Sequence, residues 1–301
     1  MKLRGLFGGD LFGFMASIGA LSLLDQQAKT GGLVSPKLYF AADHGACLTD
    51  GGDDEDAVVD AVLAGLQPIA RAVRGPLCAI SKPSDFTPHS LADLARTVDR
   101  ATSDLLAGLA CSDGNEVTES SLCAANGAGH QNLVQSMRDI LALVSREHIR
   151  AALFVPWQRA FEITPEHVKA HGLGNRKPTL RLDPSDERLY ALRAGNPTAS
   201  TSAYRTELGG QALAIAAFAL LPALPGRRPI AVASRRERQR VVFQWPLWST
   251  AASLSSVRSL LWAGVDDEAA LRARGAFAAF RAARVSGSKG KLSFAPSEGV
   301  W

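Results

Sequence analysis

Arginine and lysine are the residues here whose number and spacing suggest chemistry. Arg235, Arg236, Arg238 and Arg240 stand between two strand-like apolar runs, and a third run leads through Arg281 and Arg284 to Lys289 and Lys291. Cations held on a sheet suit a sugar–phosphate backbone, because each one replaces condensed counterions and releases them. The plainer alternative is a solvated charged edge that keeps the sheet from pairing with neighbours. Trp245, Trp248 and Trp262 lie nearby in sequence. Flat rings among cations suit unpaired bases, although tryptophans in apolar turns more often belong to a core.

A second constellation is the Gly-rich turn at 126–129 feeding a helix that the spacing of Leu133, Met137, Ile140, Leu141 and Val144 extends to about Val144. Free backbone N–H groups at such a helix mouth can hold a phosphate, which makes Gly127, Gly129, His130 and Gln131 candidate contacts. The turn lacks the Lys-Ser/Thr pair of a Walker loop and the dinucleotide spacing, so nucleotide hydrolysis is not expected. In the structural alternative, His130 and Gln131 cap a buried turn.

The acids Asp183, Asp186 and Glu187 precede a short strand with Tyr190. Clustered carboxylates can hold a divalent ion for phosphodiester cleavage, yet no matching cluster stands elsewhere. A turn salt-linked to Arg181 or Arg188 is the simpler explanation. His44, His89, His130, His148, His167 and His171 form no nuclease pattern, and Gly172 directly follows the i,i+4 pair His167/His171. The 50–56 stretch, DGGDDED, departs from the calcium-loop pattern. The expectation is therefore no catalytic residue, no metal and no cofactor. A nuclease or RNA-processing enzyme, using His130, His148 or the 183–187 acids, is the competing reading. A structural adaptor whose cations meet protein carboxylates is the third.

The elements that must position these residues fall into an acidic and a basic half. Residues 1–130 carry 9 Lys/Arg against 16 Asp/Glu, and residues 131–301 carry 24 against 13. Such segregation suggests an anionic polymer at one side or a basic protein at the other. Hydrophobic residues make up 47% of the 301, enough for a globular core. The fold expected is α+β, helix-rich with short antiparallel sheets, in two packed lobes: an acidic helix-rich lobe at 1–125 and a basic, nucleic-acid-binding α+β lobe at 126–301.

In the first half, a strand at 2–7 and a turn at Gly8–Gly9 lead into a helix from Leu11 to about Gln27, with Asp10 as its cap. Gly13, Ala16, Ser17, Gly19 and Ala20 give that helix a slim side for close packing. Helices are also expected at 57–73, kinked or broken at Pro68, and at 91–109, with an ordered loop at 111–129. In the second half, Thr164–Pro165 should start a helix, 206–221 should form a buried one, and further helices should begin near Ser253 and Asp266. Strands are expected at 230–233, 240–245 and 276–285, with a cationic tail beyond. The apolar run 11–24 is too short for a membrane span and lacks a signal-peptide pattern. The four cysteines show no metal-binding spacing. Together these point to a cytoplasmic protein with no membrane partner.

With the motifs in place, the opening GGDLFGFMASIGALSLL resembles the start of proteins from type I-G (formerly I-U) CRISPR loci. The ordered set 126–138, Trp157, 183–192, 214–225, 243–248 and the closing Arg-rich strand is similar to a smaller subunit from that setting. The resemblance spans nearly the whole chain. It implies a non-catalytic, large-subunit-like member of an RNA-guided effector complex, a Cascade, in antiviral defence. Its partners would be other CRISPR effector proteins, guide RNA and target DNA, with the basic half meeting target DNA or the RNA–DNA hybrid.

Overall fold

The computed structural model describes residues 1–31, 34–50, 53–78, 86–124, 132–159, 161–174, 178–184, 204–225, 230–238, 240–286 and 292–301. Along the chain come β1 (Lys2–Phe7), α1 (Leu11–Gly31), β2 (Lys37–Phe40), β3 (Gly45–Thr49) and α2 (Glu55–Arg74). Next are α3 (Pro88–Thr97), α4 (Arg100–Leu109), β4 (Ala110–Ser112), β5 (Val117–Glu119), α5 (Leu133–Leu143) and α6 (Arg146–Phe154). The middle holds β6 (Phe161–Ile163), α7 (Pro165–Ala170), β7 (Tyr204–Thr206) and α8 (Leu208–Ala217). After it come β8 (Ala223–Leu224), β9 (Ile230–Ala231), β10 (Ser234–Glu237), β11 (Arg240–Trp248) and α9 (Leu254–Ala263). The chain ends with α10 (Glu268–Ala273), β12 (Ala276–Ser286), β13 (Leu292–Phe294) and β14 (Glu298–Gly299). The architecture is mixed α/β, several helices with short antiparallel sheets.

Helices α8, α2 and α9 and strands β1 and β2 pack against α1. Asp10 stops the preceding turn and caps the helix, accepting a hydrogen bond from the Gly13 N–H at 2.6 Å. No charged residue interrupts 11–24, so the helix is apolar on all sides and buried on all sides. Its slim side does what the small residues predict. A Cβ at Gly13 would stand 2.1 Å from the Phe7 carbonyl oxygen, and one at Gly19 would stand 2.0 Å from the Leu213 carbonyl oxygen of α8. On another side Phe14 stacks on Trp245 with ring centroids 5.5 Å apart, and Trp245 donates from Nε1 to the Gly8 carbonyl at 2.8 Å. The sheet order is β10-β11-β12-β13, with β14 also paired to β12, and a smaller sheet runs β1-β3-β2. One connected hydrophobic cluster runs from Leu3 to Phe294, drawing on residues of both 1–125 and 126–301.

Several local expectations change. The helix expected over 91–109 is two, because Val98 is extended and Asp99 caps α4, accepting from the Thr102 N–H at 2.8 Å. Pro68 lies inside an unbroken α2, where the carbonyl it leaves unpaired belongs to the exposed Ala64 and can meet water. The 111–129 loop contains the hairpin β4–β5, and 146–154 is a helix capped by Ser145. The acids at 55–60 are not merely solvated. Arg150 of α6 pairs with Glu55 at 3.0 Å and Asp56 at 2.6 Å, while Arg146 pairs with Asp60 at 2.9 Å and also with Asp56. Part of the charge asymmetry is thus spent inside the chain.

The α3–α4 break gives a direct test. Asp99→Ala should remove the cap and lower stability by about 1 kcal/mol, read as a lower urea midpoint at unchanged slope; Asp99→Asn should restore most of it.

Candidate nucleic-acid interface

The basic stretch does not sit in a loop between two strands. Arg235 and Arg236 belong to β10 itself, which pairs with β11 in the register Arg235↔Val242 and Arg236↔Val241. Side chains alternate across a strand, so the two neighbours point to opposite faces. Continuing the register through Val242↔Ala283 and Gln244↔Arg281 places Arg235, Arg240 and Arg281 on one face. Arg236 and Arg284 fall on the other. The single shared surface that the sequence suggested is therefore divided in two.

The two faces differ in charge balance. On the first, Arg235 donates from Nε to Glu237 at 2.8 Å and from Nη1 to Asp266, and Arg281 donates to Glu298 at 3.0 Å. Burial works against the charge of Arg235, but Glu237 and Asp266 outweigh it and hold its pKa above the usual arginine value. An open groove of about 760 Å³ runs here, lined by Arg238, Arg240 and Arg281 together with Glu237 and Glu298. Its charges largely cancel.

At the other side, a groove of about 640 Å³ is lined by Arg236, Arg240, Val241, Arg284, Val285, Ser286 and Leu292, with no carboxylate among the described residues that line it. Arg240 lines both grooves, at the rim where they meet. Burial pulls the Arg284 pKa below its ordinary value; Cys123 and Glu119 oppose that, and the charge of Arg236 adds to it. Arg284 is held in place by donating from Nη1 to the Ser121 carbonyl at 3.1 Å. An anion seated in this groove would offset the charge that Arg236 adds against Arg284. Arg238 turns the β10–β11 hairpin with φ 56° and, like Arg240, is exposed. Gly127, Gly129, His130, Gln131, Lys289 and Lys291 lie outside the described residues, as do Asp186, Glu187 and Arg188.

The aromatic expectation narrows. Trp245 and Trp248 are fully buried, whereas Trp262 is 57% exposed. The chemical alternatives also acquire surroundings. Asp183 is buried and accepts from Arg159 Nε at 2.5 Å. Nδ1 of His148 and of His167 accepts the N–H of Ser145 and of Thr164 in the capping boxes of α6 and α7. Burial lowers the His148 pKa. Among the described residues no group of three or more His, Cys, Asp or Glu is placed to hold a metal ion. No described helix is long and apolar enough to cross a membrane.

Sequence reasoning missed the carboxyl groups around Arg159. Burial pushes Glu207 up to about 7, against the pull of the Arg159 N–H and side chain, with the Asp183 charge raising it further. Burial likewise pushes Asp10 up to about 6, opposed by the Gly13 N–H and aided by Asp183. In the unfolded chain both ionise near pH 4. Between there and about pH 7 the folded state binds more protons, so their contribution to stability falls as pH rises. Unfolding of Asp10→Asn/Glu207→Gln followed from about pH 4 to 7.5 should show a flatter pH dependence than wild type, by on the order of 2 kcal/mol. Parallel curves for the two proteins would refute the assignment.

Compared with protein-family models and with curated proteins, the chain gives no match.

Proposed function

We propose that this chain is a non-enzymatic nucleic-acid-binding subunit of an RNA-guided CRISPR effector complex. In this reading the groove of Arg236, Arg240 and Arg284 receives the backbone of target DNA or of the guide RNA–DNA hybrid. One observation carries it: Arg236, Arg240 and Arg284 line one groove of about 640 Å³, and the described residues that line it include no carboxylate. Cations gathered along one groove can replace the condensed counterions of a sugar–phosphate backbone and release them. The setting comes from the resemblance of the opening GGDLFGFMASIGALSLL to subunits of type I-G CRISPR loci.

Backbone contacts of this kind position a nucleic acid without reading its sequence, which suits a complex whose guide RNA does the reading. Cytoplasmic location and partnership with other effector proteins follow from that setting. The test is binding of fluorescent single- and double-stranded oligonucleotides across a salt series, with purified protein alone and with its genomic neighbours. Binding that weakens linearly with log salt supports the reading. Absence of any association at low salt, in both preparations, overturns it.

A further inference from the structure

We propose that the cleft between β10, β11 and the C-terminal end of α9 takes one unpaired nucleobase, stacked on Trp262 and hydrogen-bonded by the Gln244 amide. The source of the base rests on the nucleic-acid reading above; the chemistry of the cleft does not. Trp262, Leu261, Ser234, Arg235 and Gln244 line a space of about 170 Å³. That volume equals roughly five waters and is smaller than a typical drug-sized pocket. It suits one planar ring system.

Gln244 supplies the second, independent observation. The residue is 5% exposed and lines the cleft, yet its Nε2 has no hydrogen-bond partner. Its backbone N–H is already used, donating to the Ala233 carbonyl at 2.7 Å. Most buried polar atoms in native proteins are paired, and an unpaired buried donor is destabilising until a ligand or water meets it. A ring carbonyl or ring nitrogen seated in the cleft is such a partner after a small rotation of the amide.

The rim chooses between ligand classes. Arg235 donates to Asp266, and both line the cleft, so its ionic groups neutralise one another. What remains is a neutral donor beside an exposed indole, which fits an uncharged heterocycle and not a phosphate.

The experiment titrates the uncharged nucleosides uridine and adenosine into protein carrying ¹⁵N-labelled indoles, following the Trp262 Nε1–H signal. The expected result is a saturable shift at Trp262 with the buried Trp245 and Trp248 signals unmoved. Trp262→Ala should weaken binding about 30-fold, the middle of the range for base–aromatic stacking, read by saturation-transfer from the nucleoside. Gln244→Leu should weaken it about fivefold, without lowering the melting temperature, since it removes an unpaired donor. No shift at Trp262, or unchanged affinity in both variants, overturns the proposal. Because nucleosides carry no phosphate, their failure beside intact oligonucleotide binding sinks the cleft alone. Their success beside absent oligonucleotide binding sinks the nucleic-acid reading alone.

Discussion

Replacing Arg236, Arg240 and Arg284 together by glutamine should lower oligonucleotide affinity about 100-fold near 0.1 M salt. It should also flatten the dependence of log K on log salt by about 2 to 2.7. Each phosphate contact contributes roughly 0.7 to 0.9 to that slope, so three contacts set both figures at once. The informative comparison is Arg235→Gln/Arg281→Gln. Those two arginines lie on the other face of the sheet, beside Glu237, Asp266 and Glu298, and their loss should change affinity only a few-fold. Fluorescence anisotropy across a salt series measures both variants. Equal losses would mean that the basic stretch acts as a whole and that the groove has no special part. Arg284 also holds the Ser121 carbonyl, so the triple variant's melting temperature is recorded alongside. If it unfolds, Arg236→Gln/Arg240→Gln carries the test, with an expected loss of about 25-fold.

The division of the cations into two faces was legible in the sequence and was missed. Arg235 and Arg236 are adjacent, and Arg281 and Arg284 are three apart. In a strand, odd spacings put side chains on opposite faces, so neither pair could share a surface once its segment was read as sheet. Treating the four arginines as a loop cluster hid that constraint. Their partners were harder to see. Glu237 is near in sequence to Arg235, but Asp266 reaches it across 31 residues through the turn after α9, which no local pattern announces.

The same distinction holds for the fold. The slim side of α1 was readable because glycine and alanine at helical spacing have one main use beside a backbone. The buried α8 was readable because its run lacks charge. The break between α3 and α4 was not, since Thr97, Val98 and Asp99 include neither proline nor glycine, and an aspartate can cap a helix or merely decorate one. Strands β13 and β14 each have three residues or fewer and exist only because β12 offers its edge to them. Short pairings of that kind are set by tertiary context, which outweighs propensity.

A large loss of stability is expected from substitution of Gly19. Two helix backbones meet there, and a Cβ would lie 2.0 Å from the Leu213 carbonyl oxygen and 2.9 Å from its carbon. Neither atom belongs to a side chain that can swing away, so α1 and α8 would have to separate, opening the core along their length. Alanine in a helix interior gains about 1 kcal/mol over glycine, and the clash must exceed that gain for the prediction to hold. We expect Gly19→Val to lose at least about 4 kcal/mol, a large part of a typical domain's stability, and to fail to give a cooperative thermal transition. Two other glycines calibrate the claim. At Gly65 of α2 a Cβ would stand 3.0 Å from the Leu23 Cβ, and at Gly299 of β14 nothing lies within 4 Å. Gly299→Ala should therefore stay within about 0.5 kcal/mol of wild type, and Gly65→Ala should lie between, its helix gain set against a contact that yields by a few tenths of an ångström. Circular dichroism melts of the three single variants decide the order. If Gly19→Val melted like Gly299→Ala, α1 would not be the packed centre that holds the sheet, and with it both grooves, in place.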